Sequence, residues 1–177
     1  HSNINHKILN IKKNKNSAVI FGTEGSRSMI YKKYFDEIKR WVLKNDIILF
    51  DVGPEIKNFN LKSLCKDEFK IKILGKLSAI KIRNLFSKVS YGIFITPDEL
   101  VDKSGVMAAY SFYKVCPINL FKLEVKNKKI KNKRFLKYFP NPIEKNFNVK
   151  KIIETNHNLS KKNNLNRLIK TYSVNFK

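Results

Sequence analysis

The sequence predicts an α/β fold in which a parallel sheet carries helices on both faces. Three observations lead there. Short apolar runs recur through the first two thirds of the 177 residues, and most lack internal charge, as strands buried on both faces require. Segments with apolar residues at three-to-four spacing alternate with those runs. Most runs stop at glycine, proline or a small polar residue, the punctuation of a strand-to-helix turn.

In chain order, residues 1–16 are polar and basic apart from Ile8, Leu9 and Ile11. They read as a linker or crossover into a domain over 17–177. Ser17-Ala18-Val19-Ile20-Phe21 is the first strand, followed by the loop Gly22-Thr23-Glu24-Gly25-Ser26-Arg27. A helix follows over 28–44, with Ile30, Tyr34, Ile38, Trp41 and Val42 on one face. Residues 46–52 form a second strand that stops at Gly53-Pro54, and a weak helical segment covers 61–65. Residues 69–74 alternate as a third strand ending at Gly75. Ser78 is placed to cap a helix over 79–89 whose core side would carry Ile80, Ile82, Leu85 and Phe86. A fourth strand, Tyr91-Gly92-Ile93-Phe94-Ile95, runs into the polar loop 96–103. Ser104-Gly105 then opens a helix bearing Met107, Ala108, Ala109, Tyr110, Phe112 and Tyr113, where the aromatics suit a core. Residues 117–121 form the fifth strand.

Beyond Phe121 the pattern loosens into a basic extension. Residues 126–137 are a lysine-rich run, and Phe139-Pro140-Asn141-Pro142 would break any helix. A weak helix over 149–153 precedes a final one from Ser160, with Leu165, Leu168, Ile169 and Tyr172 as its apolar positions.

The net charge is +23. Residues 1–121 hold 21 basic and 11 acidic residues, a net +10; residues 122–177 hold 16 and 3, a net +13. Such a field favours polyanions, phosphorylated substrates or an anionic membrane surface, with residues 126–137 as the segment to lie on one. The excess is mostly lysine and comes with abundant asparagine and isoleucine, as an AT-rich coding background would also produce. A basic nucleic-acid-binding α/β module is thus the alternative function. It is disfavoured because the aromatics fall on apolar stripes and do not interleave with cations. No apolar run has the length of a membrane span. Cys65 and Cys116 lie in apolar contexts without metal-ligand spacing, and the three histidines are scattered. No metal is therefore expected, and a reducing, cytoplasmic compartment is, with the inner membrane face open to so basic a chain.

In open parallel sheets ligands bind beyond the carboxyl ends of strands, where the strand order switches. The loops 22–27, 53–55, 75–78 and 96–105 all fall at such ends. Ser104-Gly105 at a helix start offers backbone N–H groups and the positive end of a helix dipole, an anion site that a simple Ser104 cap does not exclude.

The loop residues from Ala18 to Arg27, the segment Thr96-Pro97-Asp98-Glu99-Leu100 with Lys103-Ser104-Gly105-Val106 and Ala108-Ala109, and Asn156-His157-Asn158-Leu159-Ser160 together resemble a family. It is the C-terminal, donor-binding half of GT-B glycosyltransferases, enzymes with two facing Rossmann-like domains. The resemblance spans most of residues 17–172. It implies a sugar transferase that uses a nucleotide-diphosphate sugar as donor substrate, with no cofactor and no metal. It implies the acceptor, a glycan or lipid-linked molecule, would be held through an N-terminal half that lies outside this sequence, along with the catalytic base. By the same resemblance Arg27, Lys103 and the amides of Ser104, Gly105 and Val106 would hold the donor phosphates. Gly22, Thr23, Gly25 and Ser26 would form the donor loop, Gly75, Lys76 and Leu77 would pack the nucleobase, and Asp98 and Glu99 would contact the sugar. One departure stands out. Many relatives carry E-x7-E across this loop and helix, and eight positions after Glu99 stands Met107.

Overall fold

A computed structural model describes residues 13–57, 59–64, 69–121 and 149–162. Five parallel strands, β1 (Asn14–Phe21), β2 (Ile48–Val52), β3 (Ile71–Gly75), β4 (Val89–Phe94) and β5 (Cys116–Asn119), form one sheet in the order β3-β2-β1-β4-β5. The helices are α1 (Glu24–Lys44), α2 (Ala79–Phe86), α3 (Gly105–Phe112) and α4 (Val149–Lys162), with 3-10 turns at Leu61–Leu64 and Asp98–Lys103. This is the Rossmann-like α/β architecture the apolar runs predict.

Strand register sorts the side chains by face, because neighbours along a strand point to opposite sides. Ile71, Leu49, Ala18, Tyr91 and Cys116 stand side by side across the sheet. Their row meets Ile30, Ile38 and Val42 of α1, and Val149, Ile152 and Ile153 of α4 pack on the same cluster. The next row, Phe50, Val19 and Gly92, faces the other way, toward Phe86 of α2 and Met107 and Tyr110 of α3. The lack of a side chain at Gly92 admits the Tyr110 ring: a Cβ there would lie 2.5 Å from it. The Tyr110 hydroxyl then donates toward the carbonyls of Val19 and Ile93, 3.3 and 3.2 Å away.

Element ends differ from the apolar pattern in several places. β1 begins at Asn14, whose amide donates to Lys88 O at 2.8 Å, because backbone pairing extends into residues too polar to advertise a strand. The α2 helix stops at Phe86, and Val89 already belongs to β4; an apolar run cannot show where a helix hands over to a buried strand. Ile80, expected on the core side of α2, is 68% exposed, while Ile82 and Leu85 are half-buried and Phe86 is buried. On α4 the residues Asn156-His157-Asn158-Leu159-Ser160 lie inside a helix that already begins at Val149, and Asn156 and His157 are buried. Residues 1–12, Cys65, the basic run 126–137, the prolines at 140 and 142, and the apolar positions Leu165, Leu168, Ile169 and Tyr172 lie outside the described residues.

At the opposite edge from the strand carboxyl ends, Lys13 Nζ donates to the carbonyls of Phe86 and Val89 at 2.8 and 2.7 Å. Burial first, and the nearby charge of Lys114 second, lower its pKa to about 8. No described helix is long and apolar enough to cross a membrane. Among the described residues no group of His, Cys, Asp and Glu could hold a metal ion.

Candidate functional site

Because every strand pairs in parallel, all carboxyl ends share one edge of the sheet, and the four loops singled out in the sequence meet there. The order switches between β1 and β4. The helix leaving β1 covers one face and the helix leaving β4 covers the other, which opens a crevice between their N-termini. Gly22 sits at its base: a Cβ built there would lie 2.9 Å from Ser26 Oγ and 4.0 Å from Val106 Cγ2. The fold thus draws Gly22, Ser26 and Val106 together across the crevice.

Both helix starts are capped from within. Thr23 Oγ1 accepts from the Ser26 amide at 3.4 Å, and Ser104 Oγ accepts from the Met107 amide at 3.2 Å. The Ser104 amide is itself spent on Val101 O at 3.1 Å, which removes it from the expected phosphate-binding set. Among the described residues, no acceptor meets the amides of Glu24 and Gly25 at one start, or those of Gly105 and Val106 at the other. The two starts differ in charge. Glu24 lies in the first turn of α1, where its carboxylate offsets the dipole and accepts from the Lys57 amide at 2.9 Å. The first turn of α3 carries no acid, so it is the better place for an anion. Lys103, just ahead of it, is exposed, whereas Gly105 is buried and Ser104 and Val106 are half-buried.

Arg27 has a different setting from the one the loop pattern suggests. Its side chain is 2% exposed and its guanidinium is engaged by Asp51, with Nε donating to Oδ2 at 3.0 Å and Nη2 to Oδ1, and by the Pro54 carbonyl through Nη1. The cause is one row of the sheet. Asp51 stands between Ile20 and Ile73 on the α1 face, and a carboxylate buried there needs a cation and further donors. Tyr31 supplies one, its hydroxyl donating to Oδ2 at 2.7 Å. Arg27 therefore ties α1 to β2 and to the loop after it.

That loop walls a cleft of roughly 890 Å³ on the β2–β3 side of the crevice, lined by Arg27, Ile56, Phe59, Ile73 and Gly75 among others. Phe59 is stacked on Tyr31 with centroids 6.0 Å apart. Of the three residues expected at the nucleobase, Gly75 lines this cleft, Lys76 is exposed, and Leu77 packs against the core under α2. Asp98 and Glu99 lie on the 3-10 turn after β4, Glu99 exposed. Met107 is fully buried, so an acid at that position would point into the core of this chain and away from any ligand.

Sequence reasoning missed two residues that shape the edge, Asp51 and Asn119, whereas Tyr110 is the core aromatic it expected. Asn119 is buried and grips the start of the β4 loop, its Nδ2 donating to Thr96 O at 2.8 Å and its Oδ1 accepting from the amides of Thr96 and Phe121 at 3.1 and 3.2 Å. An acid inside an otherwise apolar strand is the available signal for Asp51; nothing local marks Asn119.

Neither a protein-family model nor a curated protein matches the chain. Among solved structures it is similar to the crystal structure of WaaG, a glycosyltransferase involved in lipopolysaccharide biosynthesis, at 11% identity and a TM-score of 0.41. The match covers 92% of this chain and 44% of that one, so this chain spans less than half the length of that structure.

Proposed function

We propose that this domain binds the nucleotide-diphosphate end of a sugar donor and serves as the donor-binding part of a glycosyltransferase. The observation that carries the reading is the crevice at the switch in strand order, where the unspent amides of Gly105 and Val106 start a helix with no acid in its first turn. A diphosphate there meets N–H donors and the positive dipole end, and Lys103 adds a flexible cation as charge builds on the leaving group. Gly22 and Thr23, with Gly25 and Ser26 in the first turn of α1 where a loop was expected, form the opposite lip. Arg27 contributes by holding the neighbouring loop, and Gly75 places the nucleoside toward the β2–β3 cleft. Asp98 and Glu99 are the candidates for the sugar hydroxyls. The acceptor, glycan or lipid-linked, and the catalytic base are assigned to another part of the enzyme.

The test is thermal denaturation of the chain with UDP, GDP and ADP. A diphosphate at about 100 times its Kd should add about 2.7 kcal/mol. For a chain of this size that raises the melting temperature by roughly 5–10 °C. Gly105→Asp should abolish the shift, and exposed Lys103→Gln should weaken it without changing the unliganded melting temperature. No shift with any nucleoside diphosphate would end this reading. Stabilisation by single-stranded DNA alone would favour the nucleic-acid module.

A further inference from the structure

We infer that the corner formed by β3 and α2 is a docking surface for an anionic lipid bilayer. Between Phe69 and Pro97 the chain carries six basic residues and no acid. Lys72, Lys76, Lys81 and Arg83 of that set are exposed. The same corner holds large aliphatic side chains in water, Ile80 at 68% exposure and Leu74 at 38%. Lys70, just before β3, is paired with Asp46, and Glu55 lines the cleft beside Gly75, so the cations that count are those of α2 with Lys72 and Lys76. Single exposed aliphatics are ordinary, but a pair set among such cations is the composition of a membrane-surface contact.

The geometry follows from packing already described. α2 turns Ile82, Leu85 and Phe86 to the core, which leaves Ile80 outward between Lys81 and Arg83. β3 is the edge strand. Lys72 lies over the Phe50 ring at 6.0 Å, on the face that α2 covers, and Leu74 is the extra residue where the β2–β3 register shifts between Ile73 and Gly75. Leu74 is the last residue but one of β3 and Ile80 the second of α2, so both sit at the carboxyl edge of the sheet. Aliphatic tips can enter the acyl boundary while lysine and arginine reach the phosphates. Nucleic acid is a poorer match, because the aliphatic tips offer no ring on which bases could stack. The docking surface stands independently of the donor reading; only its consequence, a donor crevice held close to the lipid surface, rests on that reading.

The test is flotation of the full chain with phosphatidylcholine vesicles, with and without phosphatidylglycerol. Expected is binding only to the anionic vesicles. Lys81→Gln/Arg83→Gln should reduce it roughly tenfold or more, and Ile80→Ser several-fold, all with unchanged melting temperature and unchanged UDP or GDP shifts. If both variants float like the parent, the attraction belongs to other charges and the inference fails. Sensitivity to the charge change but not to Ile80→Ser would leave only diffuse electrostatics and would likewise overturn it. An equal loss of single-stranded DNA binding in the two variants would reassign the surface to nucleic acid.

Discussion

Replacing Arg27 by methionine tests whether this side chain is a structural tie or a phosphate ligand. Arg27 and Asp51 are 2% and 0% exposed, and the substitution leaves the Asp51 carboxylate buried with Tyr31 as its remaining side-chain donor. Removing one partner of a buried pair costs about 3–5 kcal/mol. In a chain of this length that lowers the melting temperature by roughly 6–20 °C. The double variant Arg27→Met/Asp51→Leu removes both charges and should recover most of the loss, because a well-packed apolar pair of similar volume is near neutral. Recovery stays incomplete by about 1–3 kcal/mol, since the Tyr31 hydroxyl loses its bond to Asp51; adding Tyr31→Phe should regain part of that. Urea unfolding followed by the fluorescence of Trp41, the single tryptophan, which meets Tyr91 edge-on at 5.4 Å, measures each step. A loss below about 1 kcal/mol for Arg27→Met, or strictly additive losses in the double variant, would refute the tie. Normal stability with lost nucleotide binding would return Arg27 to the phosphates.

Further expectations concern packing and titration. Gly92→Ala should cost about 1–3 kcal/mol through its collision with the Tyr110 ring, and Tyr110→Leu in the same chain should relieve part of it, read as urea midpoints. Gly53→Ala should be worse, because φ is +153° and the new Cβ would lie 2.3 Å from the backbone oxygen of Gly22, so the strand-end loops must part; low soluble yield or a large fall in melting temperature is expected. The Lys13 amine titrates near 8 when folded, below its ordinary 10.5. The unfolded chain therefore binds more protons between those values, and this side chain's contribution to stability rises with pH across that window. Lys13→Met should remove that rise from the difference between unfolding curves taken at its two ends. Burial pushes the Cys116 thiol up to about 12, so in a Cys65→Ser background maleimide should react with it at pH 8 only as fast as the chain opens, and rapidly in urea.

The sheet was readable because a strand buried on both faces excludes charge and a helix on one face repeats its apolar residues. Those two constraints act on neighbouring residues and so leave local marks. Contacts made across the sheet leave none. Arg27 reads as a phosphate ligand because arginine after a glycine loop is locally suggestive, yet its partner Asp51 lies on another strand and only the register brings them together. Ile80 reads as core because its neighbours are apolar, but the helix is rotated to bury Phe86, and only one orientation can be satisfied. Asn14 joins the sheet by its backbone, to which side-chain patterns are blind. At the crevice the strand-end glycines and the Ser104 cap could be read directly. Which amides remained unspent could not, since that depended on how Val101 turns back onto Ser104.

The central place of β1 has a consequence for how the chain is made. Of the five strands β1 leaves the ribosome before the others, yet one of its flanks is closed by β4, which lies some seventy residues later. Until Val89–Phe94 has emerged, one edge of Ala18-Val19-Ile20-Phe21, the apolar half of β1, stays open with unpaired amides and carbonyls. Folding speed is therefore expected to follow this long-range closure more than the local helices. Slowing synthesis across α2 should lengthen the period in which nascent chains are captured by chaperones or lost to aggregation, and supplying residues up to β5 should end it.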